Sequence, residues 1–169
     1  MSKKKSYIIM VSILLLGIVV DLVTKIIFAN ALSGKDGATV VIPNFFELVY
    51  VENTGAAYGM FGGSTVLLII ITIAFIIGFC VYDYFNHSIN WWYMLGLSLI
   101  VSGAIGNFID RIFLGYVRDF LSIKLFSFVF NIADLLITVG VGCFIVYMII
   151  CIIKETKDKK GKDIGVDNK

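Results

Sequence analysis

Four apolar runs, each long enough to cross a bilayer, leave this chain few choices of fold. A hydrocarbon core about 30 Å thick takes roughly 20 residues of helix at about 1.5 Å each. Gly62 to Tyr82 and Leu135 to Ile153 carry no charged side chain. Tyr7 to about Leu32 is apolar as far as Val20 and is then interrupted by Asp21 and Lys25. Trp91 to about Ile109 opens on Trp91, Trp92 and Tyr93, aromatic residues of the kind that sit at a membrane interface. Of the 169 residues 59% are hydrophobic and only 15% charged, where a soluble chain has about a quarter charged. The sequence therefore predicts a single all-α membrane domain with spans near 7–32, 62–82, 91–109 and 135–153.

Charge distribution orients the spans. Lys3, Lys4 and Lys5 precede the first run, and Lys154, Lys157, Lys159, Lys160, Lys162 and Lys169 follow the last, while the stretch between them is acid-rich. An even number of crossings puts both basic tails on one side, and positive charge favours the cytoplasm. Loops 33–62 and 113–130 then face outward, although Arg118 and Lys124 lie in the second, and 154–169 is a solvated cytoplasmic tail. The Ala29-Asn30-Ala31 triplet imitates a leader cleavage site, but Asp21 and Lys25 stand between it and the apolar run, so a retained span is expected. From Val40 to Val51 the chain reads with strand periodicity, Phe46, Leu48 and Tyr50 on one face and Glu47, Val49 and Val51 on the other, with Phe120 to Phe128 as its expected partner, so a small extracytoplasmic β-sheet is predicted beside the helices. No internal repeat is visible.

The composition excludes several classes. The aromatic residues lie in apolar runs rather than between basic ones, which argues against nucleic-acid binding. Cys80, Cys143 and Cys151 all fall in apolar runs, an odd set that predicts no disulfide framework. With one His, no metal site is expected, and no cofactor.

Ionisable residues at membrane depth are costly, so they mark function by default. Here they converge on one level. Asp21 and Lys25 lie toward the outer end of the first span; Asn107, Asp110 and Arg111 end the third; Asp119 follows in the loop; Asn131 and Asp134 open the fourth. Asp119 and Asp134 are the candidate catalytic pair. Two carboxyls in one small site do not both ionise easily, so one keeps a proton while the other stays charged. Such a pair serves as acid and base in peptide hydrolysis, the ionised member activating water and the protonated one polarising the carbonyl.

Each residue also has a plainer reading. Asn131 and Asp134 fit a helix N-cap and its third position. Asp119 beside Arg118 fits a loop ion pair, and Asp21 with Lys25 fits an i, i+4 structural pair. Ser102 and Gly106 have the spacing that lets helices approach closely. Ser102 with His87 does not make a serine protease, because His87 lies in the opposite loop, across about 20 Å of membrane. Ser122 and Lys124 lack an evident environment for a Ser/Lys dyad. A proton-coupled carrier is the rival class, but neither inverted repeats nor broken helices are visible; a non-catalytic scaffold is a third.

Five segments in order bear a closer likeness: Asp21-Leu22-Val23-Thr24-Lys25, Asn53-Thr54-Gly55-Ala56-Ala57-Tyr58-Gly59, Ser102 to Arg111, Val117-Arg118-Asp119-Phe120, and Phe130-Asn131-Ile132-Ala133-Asp134. Together they resemble the lipoprotein signal peptidase (signal peptidase II) family. The resemblance implies a bacterial plasma-membrane aspartic endopeptidase that removes the signal peptide of diacylglyceryl-modified prolipoproteins just before the lipidated cysteine. It implies Asp119 and Asp134 as the dyad. Asn53, Gly55, Asn107, Arg111, Asn131 and Ala133 are implied as substrate-binding or supporting residues, and Asp21, Lys25 and Asp110 as structural polar positions. It also implies a sheet cradling the site, membrane lipids as surroundings and sensitivity to globomycin-type inhibitors; a monomer is expected. Gly55, Gly59, Gly62 and Gly63 are candidate hinges for a closing loop. Ser102, Tyr58 and Leu135 depart from the commonest family pattern, which touches substrate preference and removes no group the chemistry needs.

Overall fold

The computed structural model describes residues 2–34, 38–55, 65–126 and 128–166, of which 158–166 are described by backbone alone. Among the described residues four helices and four strands follow in the order α1 (Lys3–Leu32), β1 (Thr39–Ile42), β2 (Phe46–Asn53), α2 (Thr65–Asn86), α3 (Trp91–Leu114), β3 (Val117–Ile123), β4 (Val129–Phe130) and α4 (Ile132–Val166). All four helices are long and apolar enough to cross a membrane.

The helices overrun the apolar runs, for local reasons. α2 continues past Tyr82 through Asp83, whose carboxylate accepts a hydrogen bond from the Tyr93 hydroxyl at 2.7 Å. α3 starts as expected, with Asn90 accepting from the Trp92 N–H at 2.9 Å, but runs five residues beyond Ile109. It stops where Gly115 takes the left-handed conformation (φ 83°) and its N–H bonds the Arg111 carbonyl. α4 begins three residues before Leu135 because a polar cap starts it, and it carries the basic tail as helix to Val166. The beginning of the second run at Gly62, the position Tyr58 and the candidate hinges Gly59, Gly62 and Gly63 lie outside the described residues.

α3 is the spine. Tyr93, Met94, Leu97, Ile100, Val101 and Ala104 are all buried, whereas Leu68 is the one buried residue of α2 among those described. Lipid is as apolar as the helices, so they are held by close contact rather than by hydrophobic exclusion. Gly96 and Gly140 make that contact possible between α3 and α4: a Cβ on Gly140 would stand 2.8 Å from the Ile100 backbone nitrogen and 2.9 Å from the Gly96 oxygen. On its other side α3 meets α1 through Ser102, which lies against Gly17.

The strands form one antiparallel sheet in the order β1-β2-β3-β4. Two expectations are corrected. The alternation from Val40 to Val51 is a hairpin, not one strand: Pro43 has no N–H to donate, Asn44 adopts φ 58°, and the Phe45 N–H bonds the Ile42 carbonyl. The partner strand is Val117–Ile123 rather than Phe120 to Phe128, with Val129–Phe130 returning beside it. A register shift in β2 between Leu48 and Val51 leaves Val51 opposite Asp119 and Asn53 opposite Val117. Phe120, alternate to Asp119, stacks on Phe28 of α1 at 4.5 Å between ring centres and fastens the sheet to the bundle.

Candidate active site

Asn131 and Asp134 open α4 with a reciprocal cap. The Asp134 N–H donates to Asn131 Oδ1 at 3.1 Å and the Asn131 N–H donates to Asp134 Oδ2 at 3.1 Å. The plain N-cap reading is therefore present in the structure. It is not the whole role of Asn131, whose Nδ2 also donates to Asp119 Oδ1 at 2.6 Å. One residue thus bonds both candidate carboxylates, from its backbone to one and from its side chain to the other.

The remaining lone pairs are taken up in the same way. Asn53 stands diagonal to Asp119 across the β2–β3 pairing, and its Nδ2 donates to Asp119 Oδ2 at 2.8 Å. Asn107 of α3 donates from Nδ2 to Asp134 Oδ1 at 2.9 Å. Asp119 is 2% exposed, Asp134 half-buried. Burial pushes the Asp119 carboxyl up to about 7; the charge of Asp134 adds to the rise, and the bonds from Asn53 and Asn131 oppose it.

Below the pair lies a buried ionic cluster. Lys25 Nζ is 2.8 Å from Asp21 Oδ2, 3.6 Å from Asp110 Oδ2 and 2.8 Å from Asn107 Oδ1. Asp21 Oδ1 accepts from the Ala133 N–H at 2.8 Å, tying α1 to the first turn of α4. This contact requires Gly106, since a Cβ there would fall on Asp21 Oδ2. Asp21 and Lys25 are thus an i, i+4 pair, as the plain reading has it, with partners on two further helices. Asp110 accepts from Arg118 through the backbone N–H (3.0 Å), Nε (3.2 Å) and Nη2 (2.6 Å). Arg118 therefore pairs with Asp110 and not with adjacent Asp119, because neighbours on a strand point to opposite faces. Its part in the site was hidden in the sequence, where adjacency pointed to the wrong partner.

Arg111 touches the loop rather than a carboxylate: its Nη2 donates to the Gly55 carbonyl at 3.2 Å, while the Gly55 N–H donates to Asn53 Oδ1 at 2.9 Å. Gly55 is thereby pinned at the edge of the site. Ala133 is fully buried and engaged through its backbone with Asp21. His87 lies at the opposite end of the bundle, where it bonds Ser6 Oγ (2.8 Å) and Asp83 Oδ1 (2.9 Å) and stacks on Tyr7. Ser102 donates to the Leu99 carbonyl, and Lys124 pairs with Glu47, so neither serine reading finds support. Among the described residues no three His, Cys, Asp or Glu side chains group as metal ligands.

Fold and site together define a class: a multi-pass membrane protein with two acids bridged by a shared asparagine where its sheet meets its helices. The family model for signal peptidase (SPase) II matches residues 13–150. The lipoprotein signal peptidase of Staphylococcus aureus is 38% identical over 165 residues, 95% of this chain and 98% of that one. That of Clostridium novyi is 39% identical over 143 residues, 82% of this chain and 96% of that one. A bacterial membrane enzyme solved by the in meso method superimposes with a TM-score of 0.76 at 34% identity, over 89% of this chain and 90% of that one. The chain belongs to the signal peptidase II family, whose members are proteases that process lipoproteins.

Proposed function

We propose that this protein is an aspartic endopeptidase that releases the signal peptide of diacylglyceryl-modified prolipoproteins, cutting before the lipidated cysteine with Asp119 and Asp134. The observation that carries the reading is the double engagement of Asn131, which binds both acids at once. Asp119, the more deeply buried, holds the shared proton; Asp134 takes a proton from water. The water oxygen bonds the scissile carbonyl carbon while the Asp119 proton passes to the carbonyl oxygen, giving a neutral gem-diol. As the C–N bond breaks, one diol proton returns to Asp119 and the proton on Asp134 goes to the departing amine, which restores both acids. Asn53, Asn107 and Asn131 hold the carboxylates in place throughout.

The level of the site suits the substrate. With the basic tails cytoplasmic, the sheet and the acids face the outer leaflet, where the acyl chains of a lipidated cysteine keep the scissile bond. The substrate then arrives by lateral diffusion and no soluble cofactor is used. A globomycin-type peptide would compete at this place, and a monomer carries every group the reaction uses. Asp119→Asn and Asp134→Asn, each purified and reconstituted in lipid, test the reading with a lipidated precursor. Both are expected to fold and to yield no shortened product; undiminished conversion by either removes that residue from the dyad.

A further inference from the structure

Lys25 is fully buried, and its reach extends beyond the ion pair with Asp21. Its ammonium group has hydrogens and no lone pair, so at 2.8 Å from the Asn107 amide it must face the oxygen. Asn131 Nδ2 donates to the same oxygen at 3.1 Å. With Oδ1 claimed by two donors, the Asn107 amide has one orientation left, in which Nδ2 points at Asp134. An Asn107 turned the other way would set its oxygen against a carboxylate oxygen of Asp134, tolerable only with a proton between them.

We propose that Lys25 is a positioning residue for the reaction: by holding the carbonyl of Asn107 it turns the amide nitrogen toward Asp134 and keeps that acid available as the base. The proposal rests on the dyad reading above. The charged groups around Lys25 are Asp21 on its own helix, Asp110 and Arg111 on α3, Arg118 and Asp119 on β3, and Asp134 on α4, reached through Asn107. Of these, Asp21 at 2.8 Å and Asp110 at 3.6 Å are the direct ion-pair partners, so a purely structural Lys25 would serve those two carboxylates and not Asn107.

The two roles separate when the pair is removed together. Removing one member of a buried pair leaves an uncompensated charge, whereas removing both does not. The variants are Lys25→Met, Asp21→Asn and the double Asp21→Asn/Lys25→Met, each reconstituted in lipid, with thermal unfolding as the fold check and kcat, KM and the pH profile as readouts. The proposal expects Asp21→Asn to keep kcat within about 3-fold, because Lys25 still faces Asp110 and Asn107. It expects both Met-bearing proteins to lose kcat by roughly 10-fold or more with KM nearly unchanged, and the acid limb of kcat to move to higher pH, since the base is now readily protonated. A double variant with wild-type kcat and acid limb would overturn the proposal, as would an Asp21→Asn protein as impaired as Lys25→Met. If the double variant does not fold, the comparison of the two single variants decides. Loss of the dyad reading shows separately, as conversion that survives Asp119→Asn or Asp134→Asn.

Discussion

Asp119 makes the folded protein less stable at neutral pH than it is in mild acid. Its carboxyl stands near 7 in the fold against 3.8 for an ordinary Asp. At about 1.4 kcal/mol per pH unit, that difference is on the order of 4 kcal/mol. The sign follows from proton counts. Between about 4 and 7 the folded protein holds a proton that the unfolded chain has released, so stability falls as pH rises through this window and levels off above 7. On the order of 3 kcal/mol of the fall lies between pH 5 and 8. Asp119→Asn removes the titration. Thermal unfolding in lipid or mild detergent, measured at pH 5 and pH 8 for both proteins, should show the wild-type midpoint falling further than that of the variant. At about 2–4 °C per kcal/mol the excess is about 5–10 °C. Other groups contribute to both proteins and cancel in the comparison. Equal falls would refute the reasoning, because they would mean that Asp119 is ionised in the fold at pH 5.

The same proton gives conversion an alkaline limit: above about pH 7 kcat should drop, approaching 10-fold per unit, because Asp119 no longer has a proton to give. Asn131→Ser separates cap from bridge, since serine caps a helix about as well as asparagine but has no amide to reach Asp119 or Asn107; unfolding should show a loss on the order of 1–3 kcal/mol for the buried bonds removed, while conversion by the protein that remains folded is lost. Gly106→Ala drives a methyl into Asp21 and should cost about 1–3 kcal/mol, read by thermal unfolding. His87→Ala, at the far end of the bundle, should lower the unfolding temperature by loosening Ser6, Tyr7 and Asp83, with conversion by the remaining folded protein unchanged.

The four helices were legible because membrane crossing is a matter of length and hydropathy, and both are local. Their ends were not, because each end depends on a partner: Asp83 on Tyr93, the first turn of α4 on Asn131 and Asp134. The hairpin in 40–51 was missed by reading alternation through Pro43 and Asn44, a pair that by itself marks a turn. Asp119, Asp134, Asn131, Asn107 and Asn53 are joined by side-chain hydrogen bonds, and what set them apart in the sequence was their depth and the family resemblance. The pairing of Arg118 with Asp110 was out of reach, because it needs the direction of each side chain on β3 and the exit angle from α3 at Gly115. Lys25 read correctly as the partner of Asp21, but its bond to Asn107 spans two helices and leaves no mark in the spacing of residues.

Charge balance explains why so polar a cluster survives beside lipid. Asp21, Asp110, Asp119 and Asp134 bring four negative charges, and Lys25, Arg111 and Arg118 bring three positive ones. Charge in a poorly hydrated site is expensive unless each group finds a partner. Asp21 and Asp110 have direct cationic partners at 2.8 Å and 2.6 Å. Asp119 and Asp134 have neutral donors instead: the asparagine amides and one backbone N–H. The proposed hydrolysis by two acids asks that pair to share a proton, and neutral donors leave them free to do so. On this reading the lower cluster is more than a brace. By supplying Asp21 and Asp110 with cationic partners it leaves Asp119 and Asp134 with neutral donors alone, the arrangement on which the proposed two-acid reaction depends.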